Sequence, residues 1–272
     1  MSNRFLMCRP QYFDVSYVIN PWMADNVHRV ARSQANAQWA TLHCLIQQHA
    51  AEVQLVDPQP DLPDMPFTAN AGLVVGERAI LSNFRHAERK TEEKHFERWF
   101  NDQGFEVHRI SDAIPFEGAG DALLDRARRC IWMGYGHRSV RDAGPHVQRL
   151  LGLEAIMLEL TNPRFYHLDT CFCPLPRGYV MYYPNAFSEA SRALLESRIP
   201  AEKAIVVGEE DANEFACNAV NIGDKIILNG ASCSLREALA RPGFEVERTP
   251  LSEFLRAGGA SKCLTLRLEE AL

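Results

Sequence analysis

One pattern returns about every 50 residues along this chain, and a repeated unit of that size admits few folds. Residues 68–82 with 96–107 read as strand, tight turn, strand, helix, glycine and strand, and residues 217–229 with 235–246 read the same way. The opening position of the unit falls on Asp121 and Asp169 between these copies, and near Cys263 after them. A single such unit cannot bury both faces of its sheet, whereas five around an axis cover one another and bring their inner strand ends together. The expected fold class is therefore α/β, a closed propeller-like disc of five ββαβ-type units about a pseudo-fivefold axis. Carboxylates, a histidine, amides and a thiol, all remote in sequence, would meet at its hub.

The rest of the chain fits this frame. Residues 4–10 read as a strand ended by Pro10, and Val30, Trp39, Leu42, Leu45 and Ile46 share one face of a helix over 29–48. A strand over 52–56 follows. Residues 72–81 form a hairpin about Gly76-Glu77, and Thr91 serves as N-cap of a helix that ends near Gly104. The third unit takes strands 118–124, 129–133 and 155–160 with a helix over 145–151. The fourth takes strands 165–174, 178–183 and 203–207 with a helix over 188–197, and the fifth closes with 252–256 and 262–268. The Pro-rich stretch 57–66 joins the first unit to the second, and nothing divides the chain, so one domain over 1–272 is expected.

Composition narrows the class of partner. The net charge of -6 with scattered basic residues gives no footprint for nucleic acid, which favours a small-molecule substrate. No apolar run approaches the roughly 18 residues that span a bilayer, and residues 1–5 lack the apolar stretch of a secretory signal, so a cytoplasmic protein without a membrane partner is expected. The sequence leaves homo-oligomer formation open. Eight scattered cysteines include no Cys-x-x-Cys. Cys171 and Cys173, alternating on a strand, would put both thiols on one face, but they lack a second ligand pair, so neither a metal nor a cofactor is expected.

Chemistry concentrates at a few positions. Cys263 follows Gly258 and Gly259 in a turn that leads into an alternating apolar stretch, where the backbone can approach a ligand closely. His167 and Asp169, two apart, would share a strand face, and Glu117 sits in a glycine-rich turn of the neighbouring unit. A thiol, a histidine and a carboxylate that orients it are the parts of nucleophilic catalysis with acid/base help. Asp121, after Gly-x-Gly, is ambiguous between hub and turn. Carboxylates and amides around one thiol suit a planar cation such as guanidinium, whose N–H donors form a fixed fork.

In residues 67–72, 116–121, 165–170 and 258–263, taken in that order, the chain resembles the guanidino-group-modifying enzymes of the amidinotransferase and deiminase superfamily, the penteins, and within them the arginine dihydrolases. The resemblance implies a hydrolase that takes arginine to ornithine, carbon dioxide and two ammonia without a cofactor. It implies Cys263 as nucleophile, His167 as acid/base, Glu117 as its orienting partner and Asp169 as a guanidinium ligand. Arg85 and Arg138 would hold the substrate carboxylate, Asn20 would line the pocket, and residues 14–23 are a candidate lid. One departure matters: arginine deiminases usually carry aspartate where this chain has Asn70. An amide offers both a donor and an acceptor, so it can bind a guanidinium and then a urea, and a second hydrolysis turns on it. The rival expectations are a dimethylarginine dimethylaminohydrolase or deiminase that stops at citrulline, an amidinotransferase, and a non-catalytic guanidino-binding module on the same fold.

Overall fold

In the computed structural model, which describes residues 3–49 and 51–268, the strands form five separate three-stranded sheets. Each sheet has one plan: a middle strand runs antiparallel to an inner strand and parallel to an outer one. A two-residue turn suffices for the antiparallel step, whereas the parallel step needs a crossover, and a helix supplies it. In the second unit the inner strand Gly72–Val75 turns through Gly76, at φ +61°, into Arg78–Leu81. The helix Glu93–Asp102 then buries Phe96 and Phe100 before the outer strand Glu106–Arg109. The other units repeat this with crossover helices Arg32–Gln48, Ala143–Leu151, Glu189–Arg198 and Cys233–Ala240. Ala35, Trp39, Leu42 and Ile46 form the buried stripe of the first, at the three- and four-residue spacing of a helix face.

The repeat holds, but four sequence expectations are corrected. The stretch 118–124 is not all strand: Gly118–Asp121 is one helical turn, and the strand is Ala122–Asp125. Likewise 165–174 contains a 3-10 turn, Leu168–Thr170, before the short strand Phe172–Pro174, so His167 and Asp169 do not share a strand face and Cys171 lies outside the strand that holds Cys173. Thr91 is not an N-cap but closes the short helix Ala87–Lys90, and Glu92 precedes the next helix. Finally, residues 262–268 yield only the strand Leu266–Arg267, which pairs with Asn3–Cys8 rather than with the fifth unit. The first sheet is thus built from both ends of the chain, with Phe5 opposite Arg267 and Leu6 opposite Leu266.

The first two corrections have one cause. In every unit the residues ahead of the inner strand make a tight turn, helical at Thr68–Ala71, Gly118–Asp121 and Leu168–Thr170, with the other two turns at 214–217 and 261–264. These turns crowd together, and glycine makes the crowding possible. A Cβ on Gly118, which has φ +55°, would lie 2.7 Å from the carbonyl oxygen of Gly72 in the neighbouring unit. Close approach of backbones at the centre therefore replaces the side-chain alternation that a plain strand would show. Among the described residues no helix is long and apolar enough to cross a membrane.

Candidate active site

Four of these turns carry Asn70, Asp121, Asp169 and Cys263, and Asn218 directly follows the turn at 214–217; all five residues are buried. Asn218 connects three of them. Its Oδ1 accepts from the backbone N–H of Ala260 and Cys263 at 3.1 and 3.0 Å, which fixes the turn that presents the thiol. Its Nδ2 donates to Cys263 Sγ and to the Asp169 carbonyl, each at 3.1 Å. The Cys263 thiol in turn donates to Asp169 Oδ2 at 3.3 Å. The Ala69 N–H reaches the Cys263 carbonyl at 3.1 Å and links this turn to that of Asn70.

His167 stands on the same turn as Asp169. Its Nε2–H donates to Glu117 Oε2 at 2.7 Å, and the Arg138 guanidinium donates to the same oxygen at 3.0 Å. The other Glu117 oxygen accepts the backbone N–H of Arg85 at 3.1 Å. With Nε2 engaged, Nδ1 is the nitrogen left to act as base or acid. Burial alone would raise the Glu117 carboxyl, but Arg138 and the charge and hydrogen bond of His167 outweigh it and hold the group well below the usual carboxylate range. Glu117 is thus an anion that fixes the orientation of the imidazole.

Asp169 and Cys263 are pushed the other way. Burial raises the Asp169 carboxyl to about 6, although His167, Lys262 and the Cys263 hydrogen bond each pull it down. Burial, with Asp169 alongside, pushes the Cys263 thiol well above its ordinary value. A buried cation would reverse both penalties at once, because it offers a counter-charge to the carboxylate and to the thiolate.

Asn70 is held from outside the hub. Arg89 Nη1 donates to Asn70 Oδ1 at 2.8 Å, and Arg89 is itself locked by Glu92 through bonds of 2.9 and 2.8 Å. Asp64 lies beneath, its Oδ2 accepting from Tyr17 at 2.8 Å. Because Arg89 can only donate, the bonded Asn70 atom must be the oxygen, and the NH2 is the end left for the hub. Asn70 Nδ2, His167 Nδ1 and Asp169 Oδ1 are among the polar atoms that are buried here without a hydrogen-bond partner. They comprise a donor, an ambivalent ring nitrogen and an acceptor, the set that a group with both N–H and C=O character would satisfy.

Gly120 makes the assembly possible. A Cβ there would lie 2.3 Å from Asn70 Nδ2 and 3.3 Å from His167 Cγ. Gly120→Ala is expected to lower kcat/KM by roughly 100-fold, since about 1 Å of misplacement has that effect, while far-ultraviolet circular dichroism stays native. Unchanged kinetics would show that this contact does not set the geometry.

The structure therefore brings together Cys263, His167, Glu117, Asn70, Asp169 and Arg138 of the residues singled out from sequence. Asn20 lies at their edge: its Nδ2 donates to the Ala257 carbonyl at 3.0 Å, and its Oδ1 is 3.1 Å from where a Cβ on Gly258 would sit. Arg138 also donates to the Ile19 carbonyl at 3.1 Å and stacks over Tyr166, so it ties the 14–23 loop to the hub. Arg85 is different, since its backbone reaches Glu117 while its residue is exposed at the rim. Asp121 is resolved as a strut: its oxygens accept the backbone N–H groups of Leu168 and Ser139 at 3.0 and 3.1 Å. Sequence reasoning missed Asn218, which the repeat position alone could have found, and Arg89 with Glu92 and Asp64, for which no local signal existed. The Cys171 thiol makes weak contacts with the backbone carbonyls of His167 and Leu168, and that of Cys173 with those of Pro174 and Ala219.

Comparison with known proteins gives a consistent picture. The family described as N,N dimethylarginine dimethylhydrolase, eukaryotic, matches residues 9–269. The bifunctional arginine dihydrolase/ornithine cyclodeaminase ArgZ of Synechocystis is 54% identical over 99% of this chain, which spans only 38% of that relative's length. The N(G),N(G)-dimethylarginine dimethylaminohydrolase of Mycobacterium tuberculosis is 38% identical over 98% of the chain and 86% of its own length. The crystal structure of the N-terminal domain of ArgZ, a cysteine-to-serine mutant bound to substrate, superposes with a TM-score of 0.98 at 53% identity, covering 99% of each chain.

Proposed function

The chain belongs to the N,N dimethylarginine dimethylhydrolase family, and from that premise we propose that it hydrolyses the guanidino group of arginine twice, as an arginine dihydrolase. The observation that carries this reading is the orientation of Asn70, whose oxygen is held by Arg89 so that its NH2 is the end presented to the hub. The likeness to ArgZ, described as an arginine dihydrolase in its bifunctional form, supports it.

In this proposal the guanidinium lies against Asp169, with its carbon at Cys263; the Asn70 NH2 that faces the hub cannot accept its N–H donors and serves the second cycle. The cation lowers the cost of ionising the buried thiol, and the thiol proton passes to His167. The thiolate forms a C–S bond, His167 protonates one terminal nitrogen, and ammonia leaves as that C–N bond breaks. His167 then takes a proton from water, the hydroxide adds to the thiouronium carbon, and the C–S bond breaks to give citrulline and the thiolate. In the second cycle the ureido oxygen accepts from Asn70 Nδ2, the remaining terminal nitrogen leaves as ammonia, and hydrolysis releases a carbamate that decays to ornithine and carbon dioxide. Arg85 at the rim and Arg138 beneath it supply positive charge for the amino-acid carboxylate; both act on the same two neighbours, His86 and His137.

The test is product analysis by mass spectrometry with arginine and dimethylarginine as substrates. Ornithine with two ammonia per arginine supports the proposal, and accumulation of citrulline overturns it. Citrulline formed faster from dimethylarginine would favour the second reading, a dimethylarginine dimethylaminohydrolase, which the family match and the mycobacterial relative support.

A pH profile tests the role of Asp169. Its carboxyl titrates at about 6 in the free protein, so below that pH the group is neutral and no longer attracts guanidinium. The expected result is that kcat/KM falls as pH drops through about 6. An acid limb at the ordinary aspartate value of 3.8 would contradict the assignment.

A further inference from the structure

The axis of the disc has a second end. A cavity of about 390 Å³ lies where the inner strands of all five sheets converge, lined by Leu73, Leu123, Phe172, Val220 and Leu266. Each of these follows a hub residue by two or three positions, so the cavity continues the axis beyond the catalytic turns. It shares none of the catalytic side chains, yet Lys262, which lines it, is bonded to Cys263.

Its polar character is one-sided. Lys262, Arg126, Arg177 and Arg267 line it, and no aspartate or glutamate does so among the described residues. Arg126 and Arg177 are exposed, whereas Arg267 is buried. All four have contacts inside the protein: Arg177 with Asp224 and the Pro242 carbonyl, Arg267 with Asn3, the Asn221 carbonyl and the Phe5 ring, and Arg126 and Lys262 with neighbours of their own. An incoming oxyanion would join these contacts. Basic groups along low-dielectric walls focus a positive potential into the space between them, and an apolar enclosure of this volume is typical of a small-molecule site with a few orienting polar groups.

We infer that this cavity is a second ligand site, which takes a small molecule with an oxyanion head, carboxylate or phosphate, on a short apolar chain. The head sits among the guanidinium and ammonium groups, and the chain lies against the five inner strands. An anion with no apolar part would lack the walls' contribution, and a cation would meet repulsion.

Isothermal titration calorimetry on the intact chain tests this with hexyl phosphate, hexanoate and hexylamine, each in the presence of saturating ornithine so that the hub is occupied. Binding of one or both anions at one site, with hexylamine silent, is expected. Arg126→Glu reverses a charge on the cavity's exposed side, and Ala127→Trp places a bulky ring beside it; both positions are exposed and outside the catalytic machinery. Each variant should weaken anion binding roughly tenfold or more. The inference is overturned if neither anion binds, if hexylamine binds as tightly, or if both variants bind the anions as the parent does. Which of the two anions binds tells a phosphate from a carboxylate ligand.

Discussion

Cys263→Ser is expected to reduce arginine turnover by roughly 10⁴-fold or more, the scale on which removal of a covalent nucleophile registers. The reason lies in the environment of the sulfur. Burial, with Asp169 alongside, pushes the thiol well above its ordinary value despite the hydrogen bond from Asn218, and a bound cation would offset this. A serine hydroxyl, far less acidic, would meet the same burial and would not ionise even with that cation in place. The surrounding contacts should survive, because Asn218 holds the backbone N–H of residue 263 as well as its side chain. Calorimetry should therefore show arginine still bound by the variant while liquid chromatography with mass spectrometry detects no product. Turnover within tenfold of the parent would remove the thiol from the mechanism, and with it the proposed function.

Asn70→Asp should change the product rather than abolish the reaction. Arg89 would keep its bond, since a carboxylate oxygen accepts as well as the amide oxygen does. The other atom, now an acceptor in place of Nδ2, would accept from guanidinium, and the first hydrolysis should continue. In the second cycle that oxygen would face the ureido carbonyl, acceptor against acceptor. A buried mismatch of this kind costs about 1–3 kcal/mol, or roughly 10- to 100-fold in the second step. Citrulline should accumulate and the ammonia yield should fall from two towards one per arginine. Ornithine formed at the parent rate would show that Asn70 does not decide the outcome.

Both expectations rest on parts of the site that were unequally legible in the sequence. The repeat placed Asp121, Asp169 and Cys263 at one point of the unit, and the structure finds a tight turn at that point in every unit. The hairpin at Gly76 and the apolar stripe of Arg32–Gln48 were also local patterns: the hairpin formed as expected, and the stripe formed on Trp39, Leu42 and Ile46, with Ala35 joining it, Val30 lying ahead of the helix and Leu45 half-buried. What misled was periodicity across the turns themselves. In 118–121 the small residues, and in 167–170 the polar pair His167 and Asp169 two apart, imitate strand alternation, although each segment forms a tight helical turn, which Gly118 and Gly120 admit in the first. His167 and Asp169 still meet the hub together, for a different geometric reason.

The partners of those groups belong to another category. Nothing near Asn70 announces Arg89, 19 residues on, as the donor that decides which end of the amide faces inward. Nothing near Arg138 says that its charge serves Glu117 from 21 residues away. Glu117 and Asp169, both buried carboxylates, fall on opposite sides of their ordinary values because one has Arg138 beside it and the other does not.

By itself, then, the sequence determined the repeating unit, the positions that open each copy, and the residue types available there, because turn chemistry and apolar periodicity act over a few neighbours. The tertiary structure decided how the ring closes, with the strand at 266–267 pairing with that at 3–8, which charge stands beside which carboxyl, and which face of Asn70 is free. Those are through-space quantities: electrostatic shifts and hydrogen-bond direction depend on distances between segments that only chain closure brings together.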